Sequence, residues 1–458
     1  RLGGYSAAGN NVVSILDGIR LAVSRTTMVP HAAGPGRVIE EDVLIPAAQF
    51  STADATGKTV PGLTAQYFDN NHLDGAPRLT RVDSRADFRW TLNSPGRGIP
   101  FDWFSARWIS TLTAPASGVR RITIEGNDGY RLWLDGTLII DNWTKASYGS
   151  RSAAVDLAPG TTHALKLEYF ESTGNARLKM LWDAGAPNNA AALRRRIDEA
   201  VALARQSDVA VVVAGLEEGE FRDRAFITLP GLQEDLITAV ANTGRPVVVV
   251  LVGGSAIGMS RWIDKVDAVV DAWYPGEQGG AAVADVLFGD TNPAGRLPIT
   301  FAMSEGQLPL SYNHRPTGRG DDYLDLTGMA LFPFGYGLSY TSFAYSNLRL
   351  AASTVTATAG TTVTCTVTNT GTRSGDEVVQ LYVRDVLASL ARPVMELQGF
   401  QRISLAPGQS RDVTFTVGPD QLKMVDEKME WTVEPGDFRI MIGSSSKDIR
   451  LRGTLTVK

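Results

Sequence analysis

Residues 211–231 read VVVAGLEEGEFRDRAFITLPG, and the two halves of this stretch decide the fold. Val209 to Ala214 is an unbroken apolar run, the pattern of a parallel strand buried on both faces. A segment crowded with charge follows: Glu217, Glu218, Glu220, Arg222, Asp223 and Arg224. Pro230 and Gly231 close it, and helical spacing begins at Leu232. In open α/β sheets, ligands bind at the loops that follow the carboxyl ends of the strands. Three glutamates on such a loop are candidates for acid/base work, because burial and neighbouring charge readily retune a carboxyl. The same residues also fit a solvated loop with surface ion pairs.

Outward from this stretch, strand and helix alternate. Ala190 to Arg205 reads as a helix with Leu193, Ile197, Val201 and Leu203 on one stripe and Arg194, Arg195 and Arg196 on a solvated face. Leu232 to Asn242 reads as helix, Val247 to Val252 as a second buried strand, Val266 to Ala272 as a third, and Ala281 to Phe288 as another helix. Short loops between such elements predict a parallel sheet with helices on both faces. Upstream, Val12, Val13, Leu16, Ile19 and Val23 lie near helical spacing, and Thr26 to Pro30 reads as a short strand. Between these two halves the period changes to two, as at Ile122 and Ile124, Tyr130, Leu132 and Leu134, and Leu165, Leu167 and Tyr169. Turn chemistry separates these runs at Asn127-Asp128-Gly129, Asp135-Gly136 and Pro159-Gly160.

The expected architecture is therefore an α/β sandwich domain in two parts, residues 1–55 and 187–342, split by an antiparallel β-sandwich at 56–186. Alternation at Val363, Cys365 and Val367, and again at Val413, Phe415 and Val417, predicts a further β-sandwich over 343–458.

A net charge of −5 and the absence of a basic stripe argue against nucleic acid as a partner. No run approaches the roughly 20 apolar residues of a membrane span, so no membrane partner is expected. Cys365 is the only cysteine, which excludes a disulfide within the chain; its alternation with Val363 and Val367 predicts a buried small side chain. Arg1-Leu-Gly-Gly-Tyr5 reads like the interior of a domain, so the chain is expected to begin inside a longer reading frame.

Within the insert, GLTAQYFDN (62–70), FSARW (104–108) and NDGYRLWLDGTLIIDNW (127–143) resemble the protective-antigen-like module found in glycosidases, adhesins and toxins. Some adhesins of that kind hold calcium through adjacent aspartates. That pair is not identified here, and no metal and no cofactor are expected. The loop RGIPFDW (97–103) offers Phe101 and Trp103 either as rings flanking a sugar or as caps on the sandwich edge.

GLEEGEFRDRAFITLPGLQEDLI, WYPGEQGGAAVADVLFGDTNPAGRLPITF, SYNHRPTGR and ALFPFGYGLSYTSF resemble the C-terminal half of glycoside hydrolase family 3, which includes β-glucosidases and β-xylosidases. The resemblance implies a fibronectin type III-like tail. It also implies an N-terminal (β/α)8 barrel, absent from this chain, that supplies the nucleophile and most sugar contacts. This barrel portion is the expected partner, as a separate chain or a cleaved fragment, and a carbohydrate the expected substrate. The family's acid/base context carries over to Glu220, with Glu218 as runner-up, because register within the acidic cluster is open. Phe221, Arg224 and His314 are implied substrate-binding residues. Asp223 and Arg224 are expected to pair or hold the loop, Arg319 lies near His314 on the same polar loop, and His314 also fits a satisfied surface histidine. The implied activity is retaining, exo-acting hydrolysis of terminal β-linked glucose, with a β-xylosidase or a non-catalytic carbohydrate-binding scaffold as alternatives. The expected location is secreted or periplasmic.

Overall fold

Ala210–Gly215, Val247–Val252 and Ala268–Asp271 form a three-stranded parallel sheet in that order. They belong to a computed structural model that describes residues 11–39, 41–90, 93–185, 189–219, 223–316 and 322–458. The chain divides into two compact units, Arg1–Arg37 with Ile197–Lys458, and Val38–Arg196.

In the first unit the middle strand is the most apolar and the best buried, with Val247, Val249, Val250 and Leu251 inaccessible. Helix α1, Ile15–Ala22, starts where the Ser14 hydroxyl accepts the Asp17 N–H. Helix α2, Ala190–Arg205, which belongs to this unit from Ile197 onward, buries Leu193 and Ile197, while Arg194 and Arg195 stay exposed. Helix α3, Gln233–Ala241, buries Leu236, Ile237 and Val240 and packs against the first two parallel strands. Helix α4, Gly279–Phe288, crosses α1 at Gly18 and Gly280. A Cβ on either glycine would overlap the backbone of the other helix, so only hydrogen permits this approach.

Two expectations are corrected here. The first parallel strand is not buried on both faces: Val211 and Val213 are exposed while Val212 and Ala214 are buried. Successive strand residues point to opposite sides, and a covering layer lies on one side only among the described residues. Thr26–Pro30 is not a strand. Ser24 instead begins a turn closed by the Thr27 N–H, Met28 is exposed, and among the described residues no strand pairs with this segment.

The second unit is two antiparallel sheets around one core. One runs Val43–Leu44, Arg177–Trp182, Val119–Asn127, Gly149–Leu157, with Asp87–Arg89 on the second of these. The other runs Thr137–Asn142, Gly129–Leu134, Thr162–Glu171, Phe104–Thr113, Phe50–Ala53, Thr59–Pro61, and Leu63–Phe68 joins it through Phe104–Thr113. Ile122, Ile124, Met180 and Trp182 of the first meet Tyr67, Trp108, Leu132 and Leu167 of the second. Asp83 is buried among them but fully engaged: Tyr67 Oη and Trp108 Nε1 donate to Oδ2 at 2.5 and 2.9 Å, and Arg81 Nε to Oδ1 at 2.6 Å. Residues 43–55, read above as part of the α/β domain, pair with these sheets. Their Gly/Pro-rich flanks hid strands of two to four residues.

The tail has sheets Phe343–Leu350, Thr361–Asn369, Ser410–Val417 and Thr354–Val355, Ile449–Val457, Gly436–Gly443, Gly375–Asp385, Glu396–Leu405. Cys365 is buried in its core, and burial pushes the thiol up to about 11. No helix among the described residues is long and apolar enough to cross a membrane.

Candidate functional site

The loops that leave the carboxyl ends of the three parallel strands meet at Glu218. Gln233, the first residue of α3, fixes where the first loop departs. Its Oε1 accepts the Gly215 N–H at 2.8 Å, and its Nε2 donates to Gly215 O at 3.0 Å and Pro230 O at 2.9 Å. Strand end, loop end and helix start are thereby one hydrogen-bonded unit. Arg37 holds the next residues, donating to Leu216 O at 3.4 Å and to Glu217 Oε2 at 2.7 Å.

Glu218 reaches across to the other two strand ends. Its Oε2 accepts the Gly254 N–H, from the loop after the second strand, and the Tyr274 hydroxyl at 3.0 Å, from the loop after the third. Its Oε1 accepts the Ser255 hydroxyl, and Arg224 Nη2 stands 3.8 Å away. The Glu218 N–H donates to Tyr274 Oη at 3.3 Å. Burial pushes this carboxyl up, but the hydrogen bonds of Ser255, Gly254 and Tyr274 and the nearby Arg224 outweigh it. The net is a carboxyl held below its ordinary range. Burial, then the hydrogen bond to Glu218, pushes the Tyr274 phenol up, which keeps it a donor.

Glu220, Phe221 and Arg222, the centre of the acidic motif, lie outside the described residues, as does Arg319. Arg224 is turned onto its own loop, donating to Phe226 O at 3.1 Å, Thr228 O at 3.2 Å and Ser255 Oγ at 3.2 Å. These bonds, with Glu218 Oε1 3.8 Å away, brace the loop, and among the described residues no hydrogen bond joins Arg224 to Asp223. His314 is exposed; its Nδ1 lies 3.0 Å from Arg315 O, and its carbonyl accepts the Val394 N–H of the tail. Among the described residues no hydrogen bond joins it to the acidic loop. Phe101 and Trp103 belong to the second unit and are 60% and 57% exposed there. Their loop is tied down by Trp103 N–H to Ser172 O at 3.1 Å and Gly174 N–H to Asp102 Oδ1 at 2.9 Å. In the same unit a cleft of about 470 Å³ is lined by residues including Asp128, Lys145, Thr173 and Arg177, and by none of the 97–103 loop. No group of three metal-ligating side chains occurs among the described residues.

Sequence reasoning missed Gly254, Ser255, Tyr274 and Asp271. Asp271 ends the third parallel strand with Oδ2 buried and unpartnered, and burial pushes its carboxyl up to about 6 against one bond from the Trp273 N–H. The signal was present: Gly253-Gly254-Ser255 and Trp273-Tyr274-Pro275 follow strands just as the acidic loop does.

Residues 1–340 match the glycosyl hydrolase family 3 C-terminal domain, and residues 377–446 a fibronectin type III-like domain. A periplasmic β-glucosidase of Salmonella typhimurium is 43% identical over 56% of this chain and 35% of its own length. A β-glucosidase of Rhizobium radiobacter is 32% identical over 98% of this chain and 56% of its own length. A xylan 1,4-β-xylosidase of Xylanibacter ruminicola is 30% identical over 98% of this chain and 52% of its own length. The β-glucosidase of Kluyveromyces marxianus, solved with glucose, superposes with a TM-score of 0.59 at 26% identity, covering 100% of this chain and 57% of that one. The chain thus spans between about a third and just over half of the relatives it matches. With the family's domain matched across its first 340 residues, the strand-end loops described above are those of a member of glycosyl hydrolase family 3, and the chain belongs to that family.

Proposed function

We propose that this chain is the acid/base-bearing part of a retaining, exo-acting β-glycosidase that removes terminal non-reducing β-linked glucose from short oligosaccharides or aryl glycosides. The observation that carries this reading is the engagement of Glu217 and Glu218. Glu217 is paired with Arg37 and Glu218 is saturated with donors, so neither is suited to give up a proton. The motif's remaining glutamate, Glu220, takes the role that the resemblance assigns to it. Retaining hydrolysis uses two carboxyls about 5–5.5 Å apart. A nucleophilic carboxylate from a barrel portion attacks the anomeric carbon while Glu220 gives its proton to the departing glycosidic oxygen. Glu220 then takes a proton from water, whose oxygen attacks the anomeric carbon and releases the nucleophile. The barrel portion is the proposed partner of this chain, and the protein is proposed to be secreted or periplasmic, like the relative named periplasmic. The second unit is proposed to be a protective-antigen-like module whose exposed Phe101 and Trp103 stack on sugar rings.

A β-xylosidase activity is the second reading, favoured by a Formosa agariphila relative named β-xylosidase, 42% identical over 57% of this chain. Comparing hydrolysis of aryl β-glucosides and β-xylosides separates the two.

The test of the role is E220A in the complete enzyme. Activity on a poor leaving group should fall by about 10²–10⁴-fold, and azide should restore turnover of an activated aryl glycoside with formation of a glycosyl azide. Unchanged hydrolysis of the poor leaving group rejects the assignment.

A further inference from the structure

We propose that Glu218 is a positioning residue for proton transfer at position 220, its carboxylate binding the acid-bearing loop to the two loops that follow the second and third parallel strands. This rests on the reading of Glu220 given above.

Four features of the geometry support it. The carboxylate gathers a backbone N–H from Gly254, a hydroxyl from Ser255 and a phenol from Tyr274, so a single side chain unites three strand ends. The clamp is reciprocal, because the Glu218 N–H returns a hydrogen bond to Tyr274 Oη at 3.3 Å. Arg224, on the far side of position 220, donates to Ser255 Oγ at 3.2 Å, so both flanks of the acid are fastened to the same serine. Finally, the site is fitted to glycine at position 254. A Cβ there would stand 2.8 Å from Glu218 Oε2 and 2.7 Å from the Tyr274 ring.

The physical consequence concerns distance. Two residues of chain span at most about 7 Å, so an anchor at position 218 limits how far a group two residues along the chain can stray. A general acid has to stand within hydrogen-bond reach of the oxygen it protonates, and a misplacement of about 1 Å costs on the order of 10²-fold. Glu218 itself is unsuited to be the acid, since its donors hold it ionised.

The experiment is E218Q and Y274F in the complete enzyme, beside E220A, with two glycosides of one sugar: one with a poor leaving group that needs protonation, one with a dinitrophenolate that does not. Gln at 218 keeps the shape but turns an NH2 toward donors, and Phe at 274 removes the phenol that donates to Glu218 Oε2 and accepts the Glu218 N–H. The expected result is a loss of about 10–10²-fold in kcat/KM on the poor leaving group, with KM and dinitrophenyl glycoside hydrolysis nearly unchanged. Equal losses on both substrates, or no loss in either variant, overturn the proposal. If E220A shows no leaving-group dependence, the reading of Glu220 falls instead. Azide rescue of E218A would then make Glu218 the acid and overturn the positioning role as well. Y274F keeps the test decisive should E218Q fail to fold.

Discussion

At position 218 two tendencies oppose each other: burial favours the neutral acid, and a ring of donors favours the carboxylate. The donors win because three of them are hydrogen bonds made by groups already aimed at the two oxygens. Gln233 works on the same principle with an uncharged side chain. Its buried amide satisfies both backbone groups of Gly215 on the side of the first parallel strand that no other strand pairs among the described residues. Gln233→Leu leaves those groups unpaired, and we expect a loss of about 2–4 kcal/mol in urea unfolding, with Gln233→Glu intermediate because one acceptor remains. The acidic cluster, and the candidacy of 218 and 220 within it, was legible in the sequence, since glutamate on a strand-end loop announces itself by type and place. Which glutamate is tied down was not, because its partners lie 36 to 56 positions away.

Among the elements, the strand Thr162–Glu171 ends in an unusual residue. Glu171 is fully buried; Tyr169 Oη donates to Oε2 at 2.9 Å, while Oε1 has no partner. Burial pushes its carboxyl up to about 7; the Tyr169 bond and Lys145 work against this, and Asp128 and Asp102 add to it. The folded chain therefore binds this proton more tightly than the unfolded chain does. Its contribution to stability is complete below about 4.5 and is lost as pH rises to about 7, a change of about 3 kcal/mol. Thermal unfolding of wild type and E171Q across pH 4–9 should give curves that diverge over that window, E171Q being the more stable at pH 8. Parallel curves would refute the assignment. The strand itself was legible from alternating Leu165, Leu167 and Tyr169; the state of the carboxyl at its end required knowing that other strands enclose it.

Across the whole molecule, the α/β part of the first unit and the tail are joined by a buried ion pair. Arg296 Nη2 lies 3.2 Å from both Glu377 oxygens, with side chains 9% and 4% exposed, and Tyr345 Oη donates to Oε1 at 3.0 Å. Gln380 adds a bond across to Gly335 O at 3.1 Å and is held within the tail by Ser444 O at 2.6 Å. Removing one partner strands the other charge, so R296M should cost about 3–5 kcal/mol in chemical denaturation. R296M with E377L should recover much of that loss. A change below 1 kcal/mol in R296M would show that this joint is not needed.

The chain's order of elements, its parallel strands, its change to period-two alternation and its acidic strand-end loop were written in local pattern, because periodicity and turn chemistry act within a few residues. The one-sided cover of Val211 and Val213, the allegiance of residues 43–55 to the inserted sheets, and the clamp of Glu218 by Gly254, Ser255 and Tyr274 were decided only in three dimensions. Burial and hydrogen-bond partnership depend on which distant segments arrive together, and that information is carried by packing rather than by any single stretch of sequence.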